Sequence, residues 1–280
     1  EKYKDFNVVL CFASRIDEVI DRIAEIDGEH TVFAPDVPVA GGGLFTREYI
    51  AENEEKFDKA YSLLADEESK RVYRDILNFK VSGKIKYLLT SFCDKNKVYS
   101  DILNLNENEE IIDLGAYDGD TIREFTAATG GKYKHITALE PDKKSYKKLL
   151  KNTDGMDNIC ALNMGAWSKR DTLIFDAEAG RNSKLSAEGI SVEVTDIDSL
   201  NITPTFIKMD IEGSEMKALE GAEKTIKKYL PKLYICAYHR NEDLFALPLK
   251  INELSEKYRI YFRHSKYIPA WESNFYCVAK

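Results

Sequence analysis

Between residue 98 and residue 280 the sequence alternates between short apolar runs and amphipathic segments with helical spacing. Five of the apolar runs read as strands of one core sheet. Their first residues are Ile111, His135, Asn158, Thr205 and Lys232. Strands that alternate with helices predict a parallel sheet with right-handed crossovers. We therefore expect an α/β fold whose binding edge is formed by the carboxyl ends of these strands.

Two further apolar runs, residues 258–264 and 274–280, close the chain with no helical segment between them. Strands joined without a crossover helix pair antiparallel, so we expect an antiparallel last strand. Two other runs, residues 172–177 and 191–197, predict an inserted β pair before the fourth core strand.

The first 92 residues read as a small α/β and helical segment. Residues 7–13 and 30–36 are strand-like and flank a helical stretch, and charged helical stretches follow. The three glycines at residues 41–43 predict a loop, not a phosphate-binding turn, because no strand runs directly into them. We therefore divide the chain into a segment of residues 1–92 and a domain of residues 93–280.

Charge and composition exclude several classes of protein. The 280 residues carry 40 Lys and Arg against 48 Asp and Glu, which gives a formal net charge of −8. Domains that hold nucleic acid by its phosphates are usually basic, so no nucleic-acid partner is expected. No apolar run is long enough to span a bilayer, and no signal peptide is evident, so we expect a cytoplasmic protein.

The five cysteines contain no CxxC pair, and no Cys/His spacing predicts a metal site, so no metal is predicted. Four cysteines lie within apolar runs, and we expect these to be small buried hydrophobes. They are Cys11, Cys160, Cys236 and Cys277.

The sequence DLGAYDGDT, residues 113–121, connects the first core strand to its helix. Gly115 leaves out a Cβ where the backbone must pass close to a ligand, and Gly119 opens the helix N-terminus. The spacing is G-x-x-x-G, whereas a dinucleotide pyrophosphate prefers G-x-G-x-x-G. Three carboxylates lie in this turn: Asp113, Asp118 and Asp120. They suit a ligand with a positive charge and disfavour a phosphate.

Glu140 ends the second strand, where an acidic side chain can accept hydrogen bonds from both hydroxyls of a ribose. A ligand with a ribose and a cationic end, but without phosphates, fits S-adenosylmethionine. The alternative is an ordinary tight turn at residues 113–121 with Glu140 as a surface residue.

Polar residues also follow the fourth and fifth strands. Lys208 and Asp210 share one face of the fourth strand, where they form either a structural ion pair or functional groups. Asp210 lies at the carboxyl end, above the expected reaction centre. Glu212 in the next turn can orient an acceptor or a metal, and Glu215 reads as a helix cap. His239 ends the fifth strand and is either a general base or part of a polar rim.

Three sequence stretches, together with the predicted pair of strands at the end of the chain, resemble the FkbM-type methyltransferases. The resemblance covers about residues 98–280. The three stretches are EIIDLGAYDGDT at 110–121, LEPD at 139–142 and FIKMDIEGSE at 206–215. The resemblance implies a class I, Rossmann-like fold with an antiparallel last strand, and S-adenosyl-L-methionine as cofactor. It also implies transfer of a methyl group, usually to an oxygen atom. Members of this family modify polyketides and surface glycans.

Carried onto this sequence, the resemblance implies that Asp113 braces the glycine turn and that residues 115–118 face the methionine part. Glu140 would bind the ribose, and residues 163–167 would border the adenine, with Trp167 either stacked on the ring or part of the core or a lid. The predicted cofactor-binding residues are Asp113, Gly115, Ala116, Tyr117, Asp118, Gly119, Thr121, Glu140, Pro141, Asn163, Ala166 and Trp167. The predicted catalytic residues are Asp210, Glu212, His239 and Lys208.

These observations predict an O-methyltransferase for a carbohydrate-like or small-molecule acceptor. A methyltransferase for nucleic acid or protein is the second hypothesis, although the turn Asp210-Ile-Glu-Gly differs from the N-P-P-Y-like turn of exocyclic-amine enzymes. A cofactor-binding protein without catalysis is the third. A dehydrogenase is the fourth, and the glycine spacing argues against it.

Overall fold

The computed structural model describes residues 6–175 and 190–280, and its largest element is an eight-stranded sheet. In spatial order the strands are β3 (Phe92–Cys93), β12 (Tyr258–Ser265), β13 (Ser273–Ala279), β11 (Lys232–Cys236), β10 (Phe206–Met209), β4 (Glu110–Leu114), β5 (His135–Leu139) and β6 (Ile159–Leu162). A parallel pair is formed by β1 (Val8–Val9) and β2 (Val32–Phe33). A three-stranded sheet contains β7 (Gly165–Ala166), β9 (Ile190–Thr195) and β8 (Asp171–Phe175).

Eleven α-helices occur in the described residues. They are α1 (Asp17–Glu29), α2 (Arg47–Glu52), α3 (Glu54–Ser62), α4 (Glu67–Ser82), α5 (Lys86–Leu89), α6 (Lys95–Lys97), α7 (Asp120–Ala128), α8 (Lys143–Asn152), α9 (Glu215–Gly221), α10 (Glu223–Tyr229) and α11 (Asp243–Leu254). The described residues also contain a π-helical turn at Val98–Ile102 and a 3₁₀ turn at Asp198–Leu200. Within the described part of the chain, no helix combines the length and the apolar character needed to cross a membrane.

The main sheet confirms the predicted α/β fold. Strands β6, β5, β4, β10 and β11 run parallel to one another, and β13 runs antiparallel to both β11 and β12. The chain moves outward from β4 to β6 and then returns to β10 on the other side of β4. Parallel α/β sheets bind ligands beside the carboxyl ends of the strands at such a switch point. The turns after β4, β5, β10 and β11 therefore belong to one binding edge.

The central strands are buried on both faces, which is why they read as nearly continuous apolar runs. On β4, Ile112 packs into one core and Ile111 into the other, because successive side chains of a strand point to opposite faces. Helix α7 covers the second face with Ile122 and Phe125, both fully buried. This packing fixes the position of the turn between β4 and α7.

The N-terminal segment, described from residue 6, covers the outer edge of β12. Strand β3 pairs parallel with the end of β12, and the Ala65 N–H donates to the Ile260 carbonyl at 2.8 Å. The Ser69 hydroxyl accepts from the Phe262 N–H at 3.0 Å. The outer side of β12 therefore has hydrogen-bond partners from the N-terminal segment. The predicted division of the chain at residue 92 stays a prediction.

Several local expectations need correction or completion. The helical stretch that follows β10 is divided at Ala222 into α9 and α10. The inserted β pair is present as β8 and β9, it gains β7 as a third strand, and the end of its first run lies outside the described residues. Cys11 and Cys160 are exposed, contrary to the expectation, whereas Cys236 and Cys277 are buried. Cys160 lies on the edge strand β6, and Cys11 follows the two-residue strand β1, so neither has a sheet neighbour on both sides.

Candidate active site

The turn of residues 113–121, named here the first-strand turn, packs directly against the end of β10. Gly115 has φ +76°, and a Cβ at this position would lie 1.9 Å from the Asp210 carbonyl oxygen. Glycine is therefore required here because two strand ends meet, and the predicted approach of a ligand stays a prediction. Gly119, at φ +85°, is the N-terminal cap residue of α7, as expected.

A buried lysine braces the first-strand turn from inside. The Lys208 ammonium nitrogen lies 3.1 Å from Asp113 Oδ1 and donates to the Gly115 carbonyl at 3.0 Å. The Thr121 hydroxyl donates to the other Asp113 oxygen at 3.0 Å. Burial alone would lower the pKa of Lys208, but the carboxylates of Asp113 and Asp210 outweigh it and raise that pKa. Lys208 is therefore a permanent cation that holds the turn after β4 to strand β10.

Glu140 meets the first-strand turn through its carboxylate. One oxygen accepts from the Tyr117 N–H at 2.8 Å and the other from the Asp142 N–H at 2.7 Å. Burial raises the pKa of Glu140 to about 7, although the hydrogen bonds from these two N–H groups act to lower that pKa. Tyr117 holds the left-handed conformation at φ +48°, which is costly for a residue with a Cβ. The turn is thus held in a strained shape by the very carboxylate that was predicted to bind a ribose.

The geometry of Glu140 fits a ligand that carries hydroxyl groups. Each carboxylate oxygen has accepted one N–H and retains a lone pair, which a ribose hydroxyl can use. Tyr117 is 46% exposed beside it, so its ring lines the surface of the turn. Asp118 pairs with Arg123 at 3.3 Å, and it therefore presents less free negative charge than the sequence suggested.

The residues after β5 and β6 lie together but differ in their roles. The Asn163 side-chain amide donates to the carbonyls of Glu140 and Pro141, at 2.8 and 3.0 Å, and so links the two strand ends. Ala166 is buried on β7, and the Trp167 N–H donates to the Thr195 carbonyl at 2.9 Å. Both residues are therefore held by the three-stranded sheet of β7, β8 and β9, whereas Asn163 lies directly against Glu140.

At the carboxyl ends of β10 and β11, four residues form a group that we name the acid–histidine cluster: Asp210, Glu212, Glu215 and His239. His239 Nε2 lies 3.4 Å from Asp210 and 3.6 Å from Glu212, while Nδ1 lies 2.9 Å from Glu215. The structure therefore brings three of the four predicted catalytic residues together, and Lys208 lies 3.9 Å from Asp210.

His239 is enclosed and cationic in this cluster. Its side chain is 1% exposed, and burial alone would lower its pKa. The carboxylates of Glu215, Asp210 and Glu212 outweigh burial and raise the pKa of His239 to about 9. Because the ring is protonated near neutral pH, it acts on its neighbours as a positive charge.

Asp210 is a partly accessible carboxylate of the cluster. Its side chain is 31% exposed, and it accepts a hydrogen bond from the Tyr238 hydroxyl at 3.0 Å. Burial opposes ionisation, but the cations of Lys208 and His239 keep the pKa of Asp210 below its ordinary value. An ionised, partly exposed carboxylate at this edge can accept a hydrogen bond from an incoming hydroxyl group.

Two members of the site were not recognised from the sequence. Glu215 was interpreted as a helix cap; it does accept from the Ile211 N–H at 3.0 Å, but it is also fully buried as the partner of His239. Tyr238 was passed over although it precedes His239 at the end of the fifth strand. The sequence held one indication of this role, because Glu215 follows Glu212 by only three residues. The backbone between them turns at Glu212 and Gly213, both of which have positive φ.

Across residues 6–175 and 190–280, no group of three or more His, Cys, Asp or Glu is arranged to hold a metal ion.

Comparison with known proteins gives the following matches. The family described as "Methyltransferase FkbM domain" matches residues 113–267. The crystal structure of methyltransferase FkbM from Methylobacillus flagellatus KT is similar with a TM-score of 0.74 and 26% identity, over 97% of this chain and 73% of that chain.

Two more distant solved structures have TM-scores of 0.44 and 0.42. The first is a rRNA methylase from Streptococcus thermophilus, 14% identical over 66% of this chain and 93% of that chain. The second is Aeropyrum pernix fibrillarin in complex with natively bound S-adenosyl-L-methionine, 13% identical over 65% of this chain and 71% of that chain. Among curated proteins, no sequence matches.

Proposed function

The chain belongs to the FkbM methyltransferase family, and we propose that it uses S-adenosyl-L-methionine to methylate a hydroxyl group of a small-molecule or carbohydrate-like acceptor. The observation that carries the proposal is the continuous network from Asp113 through Lys208 to Asp210 and His239. It connects the turn expected to bind the cofactor with the carboxylate expected to meet the acceptor.

The cofactor site is proposed to consist of the first-strand turn and Glu140. Glu140 binds the ribose hydroxyls with its remaining lone pairs, and the backbone of the turn, held by Lys208, surrounds the methionine part. Asn163 positions the end of β5 and borders the adenine. When bound, S-adenosyl-L-methionine supplies a methyl group on a positively charged sulfur.

On the acceptor side, Asp210 is the residue proposed to receive the proton. A hydroxyl oxygen that gains a methyl group becomes positively charged, and its proton is then acidic enough for an ordinary carboxylate to accept. Asp210 first aligns the hydroxyl group by accepting its hydrogen bond, and alignment of two reactants can contribute about 7–11 kcal/mol. Tyr238 and the protonated His239 fix the orientation of Asp210. His239 acts in this proposal as a positioning group, because a protonated ring cannot accept the proton.

The alternatives fit less well. A dehydrogenase is disfavoured by membership in a methyltransferase family and by the glycine spacing. A macromolecular nucleic-acid substrate is disfavoured by the net charge of −8. The exposed carboxylates of Asp210 and Glu212 support catalysis over cofactor binding alone, because a protein that only bound the cofactor would have no use for them.

Calorimetric titration with S-adenosylhomocysteine tests the cofactor site. The wild-type chain should bind it and should not bind NAD. Glu140→Gln should weaken binding by about 10- to 100-fold, because it removes charge-assisted hydrogen bonds to the ribose. Glu253→Gln is the matched control, since Glu253 is 69% exposed on α11. Unchanged affinity in Glu140→Gln would reject the assignment. A labelled-methyl assay with hydroxylated sugars and metabolites then tests transfer to oxygen.

A further inference from the structure

Arg240 lies directly beside the acid–histidine cluster and holds one of its turns. It follows His239 at the end of the fifth strand, and its guanidinium Nε donates to the Gly213 carbonyl at 2.7 Å. Its own backbone N–H is held by Asp243 at 2.8 Å. The guanidinium is thus anchored at one nitrogen next to the turn that begins at Asp210.

Two glycines from distant parts of the chain form a slot for this guanidinium. A Cβ on Gly213 would lie 2.9 Å from Arg240 Nε, and a Cβ on Gly41 would lie 3.2 Å from Nη1. The loop that contains Gly41 is held in place because the Ala40 N–H donates to the His239 carbonyl at 2.8 Å. The glycine run of the N-terminal segment, predicted only as a loop, therefore packs on the candidate active site.

The charge of Arg240 has no counter-ion among the described residues. Of the eleven arginines, ten lie in the described residues, and three of these are at least partly buried: Arg71, Arg240 and Arg263. Arg71 pairs with Asp75 at 3.3 Å, and Arg263 pairs with Asp66 at 2.7 Å. Across residues 6–175 and 190–280, no carboxylate lies within 4.0 Å of the Arg240 guanidinium. A partly buried cation without a described counter-ion is a favourable partner for a ligand that supplies the opposite charge.

We propose that Arg240 is a binding subsite for an anionic group of the acceptor, a carboxylate or a phosphate, while Asp210 receives the hydroxyl group of the same molecule. The planar fork of a guanidinium matches the paired oxygens of either group. This inference rests on the proposed function, because it defines the acceptor as an acidic hydroxylated compound. It also gives the N-terminal segment a part in recognition, since Gly41 forms one wall of the slot.

Calorimetric titration with glucose 6-phosphate, glucuronate and glucose tests the proposal, with inorganic phosphate as the simplest probe. The first two compounds carry a phosphate or a carboxylate on a hydroxylated ring, and glucose carries neither. The wild-type chain should bind at least one of the charged sugars about 10- to 100-fold more tightly than glucose. The better of the two identifies the anionic group. Equal binding of all three compounds, or binding of none, would overturn the proposal.

Variants separate recognition from folding. Arg240→Gln should abolish the preference for the charged sugars, and Arg240→Lys should retain part of it, because the ammonium keeps the charge without the fork. Arg259→Gln is the control, since this exposed arginine lies at the opposite end of the sheet, and it should keep the full preference. A preference that survives in Arg240→Gln would reject the subsite.

Titration of S-adenosylhomocysteine into the same proteins tests the cofactor site separately from the proposed anionic subsite. Its affinity should be the same in wild type, Arg240→Gln and Arg240→Lys, because Arg240 does not contact the first-strand turn. If S-adenosylhomocysteine binds and the charged sugars show no preference, the anionic subsite is wrong and the cofactor proposal stands. If the charged sugars bind preferentially and S-adenosylhomocysteine does not bind, the cofactor proposal is wrong and the anion subsite stands.

Discussion

The first-strand turn and the acid–histidine cluster share one edge of the sheet, but they differ in how their charges are balanced. In the turn, Asp113 and Lys208 are almost completely buried and neutralise each other. In the cluster, Asp210 and Glu212 are 31% and 48% exposed, and the enclosed cations near Asp210 are His239 at 3.4 Å and Lys208 at 3.9 Å. The charged groups of the first region are therefore enclosed, whereas two carboxylates of the second region reach the surface.

This difference separates two physical tasks. A site that always binds the same ligand benefits from a rigid structure whose charged and hydrogen-bonding groups are paired within the protein. A site that receives a proton needs an ionised group that an incoming molecule can reach. Lys208 belongs to both regions, because it contacts Asp113 and lies 3.9 Å from Asp210. Substitutions at the two ends of this network should therefore have effects of different kinds.

The largest effect is expected from Lys208→Met. The substitution leaves Asp113 buried without its counter-ion and should lower the free energy of unfolding by about 3–5 kcal/mol. Urea unfolding followed by circular dichroism measures the change. Lys227→Met is the control: this lysine is 50% exposed and pairs with Glu223, so a loss of only about 0–1 kcal/mol is expected. Similar small losses in both variants would show that the turn does not depend on its buried ion pair.

Asp210→Asn should affect turnover much more than cofactor binding. The amide keeps the shape of the side chain but cannot take a proton, so the methyl-transfer rate should fall by about 10²–10⁴-fold. S-adenosylhomocysteine affinity serves as the internal control and should stay close to wild type, whereas urea stability should fall because Lys208 and His239 lose a carboxylate partner. Asp171→Asn, at an exposed site on β8, should change none of the three quantities. A large loss of cofactor affinity in Asp210→Asn would contradict the separation of the two regions.

The smallest effect is a pH dependence of stability that arises from His239. Its folded-state pKa of about 9 lies above the ordinary value of 6.5, so protonation stabilises the folded protein. The contribution is fully present below pH 6.5 and is lost as the pH rises through 9, with a total of about 3 kcal/mol. Urea unfolding is measured between pH 7 and pH 9. Glu140, whose pKa is about 7, titrates in the lower part of this range, so the comparison needs a variant that retains Glu140.

His239→Gln provides the comparison for this pH series. The wild type should lose stability between pH 7 and pH 9, and the variant should show a much smaller slope across the same range. Parallel slopes in the two proteins would mean that His239 is not held as a cation by the cluster.

The architecture was largely predictable because it depends on patterns that are local in the sequence. Apolar runs of four to eight residues, separated by amphipathic helices, determine a parallel sheet with a defined binding edge. The missing helix between the last two runs determined the antiparallel β13. The exposure of Cys160 was missed because an edge position depends on strand order, and a run of apolar letters does not reveal it.

The sequence predicted which strand ends lie together, but not the contacts that are made there. The residues at the ends of β4, β5, β10 and β11 were identified by their order along the chain. The reason given for Gly115 was incomplete, because the carbonyl of Asp210, ninety-five positions later in the sequence, also leaves no room for a Cβ. Glu215 and Tyr238 were missed for the same reason: whether a polar side chain caps a helix or meets a buried imidazole is decided by tertiary contacts.

The cover over β12 has a consequence for how the chain can be divided. Strands at the rim of a sheet readily recruit other chains through their free backbone groups. Here Ala65, Ser69 and β3 occupy those groups on β12. A fragment that began at residue 93 would lack both the Gly41 loop beside Arg240 and the cover of an eight-residue strand. The N-terminal segment thereby keeps the outer side of β12 from pairing with another chain.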